Sequence, residues 1–215
     1  MQQKTALVVG ASGVVGRELV KGLCAHPDYA KVIIWLRRPL AFEHPKLQQQ
    51  IIDFEHIAEQ PHIAVDEVFC ALGTTIKQAG NRAQFLKVDV EYPTAVAAWA
   101  KHAGATALFL VSAPHANPDS RIFYLRAKGQ AEQQIRALDY PKLAIFHPPL
   151  IIGERRDKRP AEKTMAALFK YLPKNWFKAY QPMSGAEIAA AIIAAAEKQP
   201  LGVHIYRLQA AGAEK

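Results

Sequence analysis

The chain has 215 residues, 50% of them hydrophobic and 21% charged, which suits one domain spanning 1–215 with a sizeable core. Its formal charge is +8, but the basic residues are scattered. The one dense cluster, "GERRDKR" at 153–159, also carries acids, and no basic stripe is interleaved with aromatics, so nucleic acid is excluded as the main partner. The two cysteines, Cys24 and Cys70, lie in apolar segments and read as reduced, buried thiols of a cytoplasmic protein rather than a disulfide framework. The opening "MQQKTALVVG" lacks the apolar stretch of a signal peptide, and "IAAAIIAAA" is too short to cross a bilayer; no membrane role is expected.

The first predicted strand is Thr5–Val9. Directly after it comes Gly10-x-x-Gly13-x-x-Gly16, and then a helix on which Val15, Leu19 and Leu23 recur every fourth residue. Glycines here let the backbone approach a pyrophosphate and let strand and helix pack closely, while the free N–H groups of the helix start face the anion. The spacing is one residue longer than G-x-G-x-x-G, so a plain tight turn is the competing reading. The second strand, Lys31–Leu36, ends in "IIWLRRP". Where an NAD site places an acid for the ribose hydroxyl, Arg37 and Arg38 stand instead. Guanidinium groups suit a 2′-phosphate, hence NADP(H); two solvated arginines are the alternative. The third strand, Gln50–Asp53, ends on an acid that either accepts from an adenine amino group or caps a loop.

A fourth strand follows at Glu67–Ala71. Pro93 opens a helix, "PTAVAAWAKH", ending near Gly104. A fifth strand at Ala107–Ser112 leads into a long helix that shows Tyr124, Lys128, Ala131, Ile135 and Leu138 on one face. A sixth strand is Leu143–Phe146. After Gly153 the chain turns basic, proline-containing and aromatic, and residues 154–185 read as a small cap. Ser184 and Glu187 form a capping box before "IAAAIIAAAEK", and His204–Leu208 is the last strand. Alternating apolar strands and helices predict an α/β fold, a doubly wound parallel sheet of Rossmann type with a small C-terminal cap.

The segment "LFLVSAPHANPDSRIFYLRAKG" carries the chemistry. Tyr124 and Lys128 are four apart and face the same way on a helix. A free phenol has a pKa of about 10, and proton exchange near neutrality asks for about 3 less, roughly 4 kcal/mol of preference for phenolate. A neighbouring ammonium supplies such a preference. Ser112, at a strand end twelve residues earlier, is placed to hydrogen-bond a carbonyl oxygen. Y-x-x-x-K alone arises by chance; with the serine and the glycine turn it is far more specific.

With "GASGVVGRELV", "RRPL", "IIDFE", "FCALGTT", "KVDVEY", "FYLRAKGQAE" and "PPLIIGERRDKRPAE", the chain resembles the short-chain dehydrogenase/reductase superfamily over nearly its whole length, in particular the atypical branch of Tat-interacting-protein-like and bacterial oxidoreductase-like members. The resemblance implies an NADP(H)-binding Rossmann domain with a Ser112–Tyr124–Lys128 group. It also implies cofactor contacts from the glycine turn (Gly10, Ser12, Gly13, Val14, Val15, Gly16), from Arg37 and Arg38, from Asp53 and Phe54, from Ala71, Leu72, Gly73 and Thr74, from Lys128, and from the backbone at Pro148–Ile151. One departure is "FHPPLIIG", where His147 stands in place of the arginine the family leads one to expect.

The expected function is an NADPH-dependent reductase of a small carbonyl compound: Tyr124 protonates the oxygen, Ser112 orients it, and Lys128 holds the nicotinamide ribose and lowers the tyrosine's pKa. The alternative is an NADP(H)-sensing regulator that binds a protein partner; a nucleotide-sugar epimerase would ask for a larger C-terminal domain. Monomer and homodimer are equally compatible with the sequence. The eight histidines show no H-x-x-x-H or C-x-x-C spacing, so no metal is expected. His115 either touches substrate or is solvated, and Trp176 and Phe177 either roof the pocket or pack the cap. Arg155, Arg156 and Arg159 read as a solvated ion-pair surface, or as a contact for a partner or an anionic substrate.

Overall fold

The structure, a computed structural model, describes residues 3–152, 181–198 and 201–209. Most of the expected cap, with Trp176, Phe177 and the arginine cluster at 155–159, lies outside the described residues.

Seven parallel strands form one sheet: β1 (Lys4–Val9), β2 (Tyr29–Leu36), β3 (Leu47–Ile51), β4 (Glu67–Cys70), β5 (Ala107–Val111), β6 (Lys142–His147) and, last in the chain, β9 (Gly202–Arg207). Their order is β3-β2-β1-β4-β5-β6-β9, the doubly wound arrangement expected from the sequence. A separate two-stranded piece pairs β7 (Ile151–Ile152) with β8 (Met183–Ser184). The inner strands read as continuous apolar runs because both faces are covered. On one face Ala6, Val8, Val32, Ile34, Phe69 and Phe109 pack under α1 (Val14–Ala25) and α6 (Gly185–Lys198). On the other, Leu7, Val9, Ile33, Trp35, Leu108 and Leu110 meet Val96 and Ala100 of α4 (Tyr92–His102) and Ile135 of α5 (Phe123–Arg136). Phe69 and Phe109 stack at 4.7 Å between ring centres; burying each ring contributes about 1.5–3 kcal/mol.

Several boundaries differ from the sequence expectation, β2 among them, which begins at Tyr29 rather than Lys31. β3 runs over Leu47–Ile51 rather than Gln50–Asp53. Its glutamines are admissible because β3 is an edge strand: Gln49 bonds the backbone of Leu40 and Phe42, and Gln50 accepts from the Trp35 indole at 2.8 Å. β9, the opposite edge, starts two residues before the expected His204, after Gly202 at φ +100°. Pro93 stands in the first turn of α4 as expected, but the helical path starts earlier. The helical path begins at Arg82, where Asn81 Oδ1 accepts the Gln84 N–H at 2.8 Å, and runs through α3 (Arg82–Leu86) and one π turn (Lys87–Glu91) into α4. Pro93 has no N–H to return to Asp89, and the wider turn, in which the Tyr92 N–H reaches the Lys87 carbonyl, accommodates the missing bond. A short helix α2 (Ile76–Ala79) precedes this run. The capping box before α6 is present in both directions: the Ser184 N–H donates to Glu187 Oε2 at 2.8 Å, and the Glu187 N–H to Ser184 Oγ at 3.2 Å.

Two glycines of α1 separate close packing from chain flexibility. A Cβ on Gly16 would stand 2.1 Å from the Gly10 carbonyl oxygen, whereas one on Gly22 would meet only the tip of the Ile193 side chain. Gly16→Ala is expected to destabilise by about 1–3 kcal/mol through overpacking against backbone. Gly22→Ala is expected to cost less, because Ile193 can rotate and alanine favours the helix by about 0.5–1 kcal/mol. Urea unfolding of the two variants measures the difference.

Candidate functional site

The register sets the carboxyl ends of the central strands level. Val9 lies opposite both Trp35 on β2 and Cys70 on β4. Chain direction across the sheet reverses between β1 and β4, so the turns after these strands diverge and leave a crevice at the switch point. That crevice encloses about 570 Å³.

The glycine turn forms its floor. Gly10 has φ +83°, and a Cβ on it would lie 2.4 Å from the Ala71 carbonyl oxygen; only glycine fits. Gly13 is the N-cap of α1, with no side chain capping the helix and no acid in its first turn. A Cβ on Gly13 would meet only the Gly10 oxygen, at 3.2 Å. Open space over Gly13, an uncapped helix start and its positive dipole end together fit a diphosphate.

Of the residues expected to touch a cofactor, the crevice gathers Gly10, Ser12, Gly13, Val14, Val15, Arg37, Phe54, the Ala71–Thr74 turn, Lys128 and Ile151. Gly16 lies beneath the turn, against Gly10. Arg38, Asp53 and Pro148 are not among the lining residues. Asp53 caps the 3-10 helix Phe54–Glu59: its carboxylate accepts the Glu55 N–H at 2.9 Å and lies 2.8 Å from His56 Nδ1. The Glu55 N–H first, and His56 second, hold its pKa below the usual carboxylate value. Of the two sequence readings of Asp53, these bonds express the loop cap.

Ser112, Tyr124 and Lys128 line the same crevice. Ser112 extends β5, its N–H donating to the Phe146 carbonyl at 2.8 Å. The chain then loops out and returns along α5, with the Asn117 N–H on the Leu125 carbonyl at 3.0 Å. The close return depends on Gly129, where a Cβ would lie 2.2 Å from the Asn117 carbonyl carbon. A twelve-residue separation thus becomes a shared wall. Phe85 supports Tyr124, with ring centres 6.2 Å apart.

The electrostatics differ from the expectation. Lys128 is buried and pairs with the buried carboxylate of Asp89, Nζ to Oδ1 at 2.7 Å. Burial opposes the lysine's charge, but Asp89, with smaller help from Tyr124, outweighs it and raises the lysine pKa. Burial also pushes the Tyr124 phenol above its ordinary value; Lys128 pulls it down by less, and Asp89 adds to the rise. The expected lysine-depressed phenol is therefore corrected: here the ammonium is matched by an acid. Ser112 is engaged as well, its hydroxyl donating to Glu132 Oε1 at 2.5 Å, and Glu132 also holds His147 Nε2 at 2.8 Å. Where the family led one to expect arginine, His147 thus anchors the acid behind Ser112.

The sequence reading missed Asp89, Glu132 and Arg17. Asp89 sits in the quoted "KVDVEY" and Glu132 in "FYLRAKGQAE", one helical turn beyond Lys128. Asp89 stands between Val88 and Val90, the available signal; Glu132 is flanked by Gln130, Gln133 and Gln134, and nothing local marks it. Arg17 follows the last glycine and, like Arg37, lines the crevice. Gln78 and Gln84 add amides to its wall. His115 is exposed, at φ 60°, and is not among the lining residues. No group of three metal-ligating side chains occurs among the described residues.

Comparison with known proteins agrees with this fold. The model of the NAD dependent epimerase/dehydratase family matches residues 6–170. Protein HTATIP2 of Rattus norvegicus is 34% identical over 188 residues, covering 84% of this chain and 76% of the relative. FMP52-1 of Scheffersomyces stipitis is 32% identical over 204 residues, covering 90% and 88%. The Bordetella bronchiseptica enzyme WbmH, solved with NAD+, superposes with TM-score 0.73 at 14% identity, over 97% of this chain and 76% of that one. A Burkholderia cenocepacia short-chain dehydrogenase, solved with NADP, does so with TM-score 0.70 at 16% identity, over 97% and 89%. The FMP52 relatives of several yeasts are named mitochondrial, which overturns the cytoplasmic expectation drawn from reduced thiols. No helix among the described residues is long and apolar enough to cross a membrane. From the glycine-floored crevice, the strand order and these matches together, the chain belongs to the NAD dependent epimerase/dehydratase family, in the atypical branch of the short-chain dehydrogenase/reductases, with HTATIP2 and FMP52 among its relatives.

Proposed function

We propose that the protein is an NADPH-dependent oxidoreductase that reduces a small carbonyl compound through Ser112, Tyr124 and Lys128. The supporting observation is that one crevice is lined by the glycine turn, two arginines, and the serine, phenol and ammonium together. Residues Gly10–Val15 would hold the diphosphate on backbone N–H groups, and Arg17 with Arg37 would meet a 2′-phosphate. Bound NADPH supplies the hydride. The Tyr124 hydroxyl gives its proton to the substrate oxygen. The Ser112 hydroxyl, which rests on Glu132 Oε1, would turn to donate to the substrate carbonyl oxygen and orient it. Lys128 places a positive charge beside the reacting oxygen, and the apolar side chains of Val88 and Val111 in the lining keep water low.

The second reading, an NADP(H) sensor acting on a protein partner with little turnover, is favoured by one observation: the ammonium is already paired and the phenol is raised rather than depressed.

NADPH is expected to raise the melting temperature more than NADH at equal concentration. Arg17→Ala combined with Arg37→Ala should bring the two shifts level, because each charge-assisted bond lost costs about 1.5–3 kcal/mol. Equal shifts in the wild type would remove the NADP preference. Tyr124→Phe should lower NADPH oxidation on a panel of aldehydes, ketones and quinones by about 100-fold or more, with cofactor affinity by calorimetry nearly unchanged. A wild type that binds NADPH but turns over none of the panel favours the sensor.

A further inference from the structure

The acid against Lys128 has no counterpart in the Ser–Tyr–Lys reading. Asp89 is 1% exposed and comes from the π turn Lys87–Glu91, where the wider winding that accommodates Pro93 also holds Asp89 within reach of the crevice. Its two oxygens have separate tasks. Oδ2 accepts the Thr74 N–H at 2.8 Å, fixing the acid to the turn after β4. Oδ1 faces the Lys128 ammonium at 2.7 Å. Gly73 lies alongside the pair: a Cβ there would make ordinary contact with Asp89 Oδ1 at 3.6 Å and Lys128 Nζ at 3.7 Å. Tyr124 lies one helical turn before Lys128, so the phenol faces an ion pair and not a lone cation.

Resting on the reductase reading, we propose that Asp89 is a positioning residue that, through Lys128, keeps the Tyr124 hydroxyl in its protonated, donor form, suiting the crevice to delivering a proton at neutral pH rather than removing one.

Charge arithmetic carries this. A single buried ammonium favours phenolate strongly; an ammonium with a carboxylate at contact distance is a dipole, whose field falls off faster than that of a charge. Burial then dominates and favours the neutral phenol, in keeping with its upward displacement. The other titratable groups around the pair are few. The Cys70 thiol at the end of β4 interacts with both Lys128 and Asp89 and is itself pushed up to about 11, chiefly by burial. Glu132, a turn further along α5, is turned away onto Ser112, His147 and Arg136. The balance at the phenol is therefore set by burial, Lys128 and Asp89.

The test uses the full chain labelled with ring-13C tyrosine. The half-titration pH of Tyr124 is read by NMR without cofactor and again with NADP+, and Tyr124→Phe assigns the signal. Asp89→Asn, which keeps the side chain's shape, is expected to lower the half-titration pH by about one unit or more, a tenfold larger phenolate fraction at a given pH. Lys128→Gln is expected to raise it. Mere loosening of the fold would let water in and move both variants downward, toward free tyrosine. Opposite shifts support the proposal; no shift, or shifts of the same sign, overturn it. If Asp89→Asn does not fold, Asp89→Ser carries the same expectation. Because the titration needs no turnover, a chain that reduces no carbonyl would sink the reductase reading and leave this measurement standing on its own.

Discussion

Everything at the crevice rests on one backbone contact. Gly10 lies so close to the Ala71 carbonyl that a methyl group would stand 2.4 Å from the oxygen, and this contact locks the turn after β1 to the turn after β4. Gly16 repeats the device one step deeper, against the carbonyl of Gly10 itself. Strand, turn and helix are thereby pressed together without side chains between them. The N-terminus of α1 then looks across open space with its N–H groups uncapped. Anion affinity here comes from what the sequence leaves out, and a close-packed interior makes such omissions specific to position.

The reactive end is built on the opposite plan, from polar side chains that are buried and paired. Lys128 meets Asp89, and Ser112 and His147 meet Glu132. Each acid would be costly alone in this apolar setting. Paired, each fixes the rotamer and protonation state of the group it holds, the preorganisation that charge development in a crevice calls for. Two of the three side chains expected to do chemistry are thus held by acids that the sequence reading left unassigned. The third, Tyr124, is held by aromatic packing and has its proton affinity set by its neighbours.

Irregular backbone supplies the placement. A proline inside a helix usually marks a kink; here Pro93 coincides with a π turn that carries Asp89. Gly129, in the middle of α5, forgoes helix stability and allows the loop after Ser112 to lie directly on the helix. Gly129 is one residue from Lys128 and Pro93 four from Asp89, both groups of the crevice, and both features trade local regularity for position.

What the residues determined unaided is what depends on near neighbours. The apolar runs of β1, β2, β4, β5 and β6 specified buried parallel strands. Glycines after β1 specified a tight strand–helix turn, and Tyr124 and Lys128 four apart specified a shared helix face. The Ser184–Glu187 box marked the start of α6 within a residue. Edge strands were less legible, because β3 is polar and is held by glutamine side chains rather than by apolar burial. Only the tertiary structure decided the rest. Asp53 caps a turn instead of reaching the crevice because its own backbone offers a donor two residues on. Asp89 reaches Lys128 from 39 positions away. That pairing decides whether the phenol faces a cation or a dipole, and no local pattern encodes it: a buried charge is governed by whichever partner the fold brings within about 4 Å, and Coulomb energy depends on distance in space rather than along the chain.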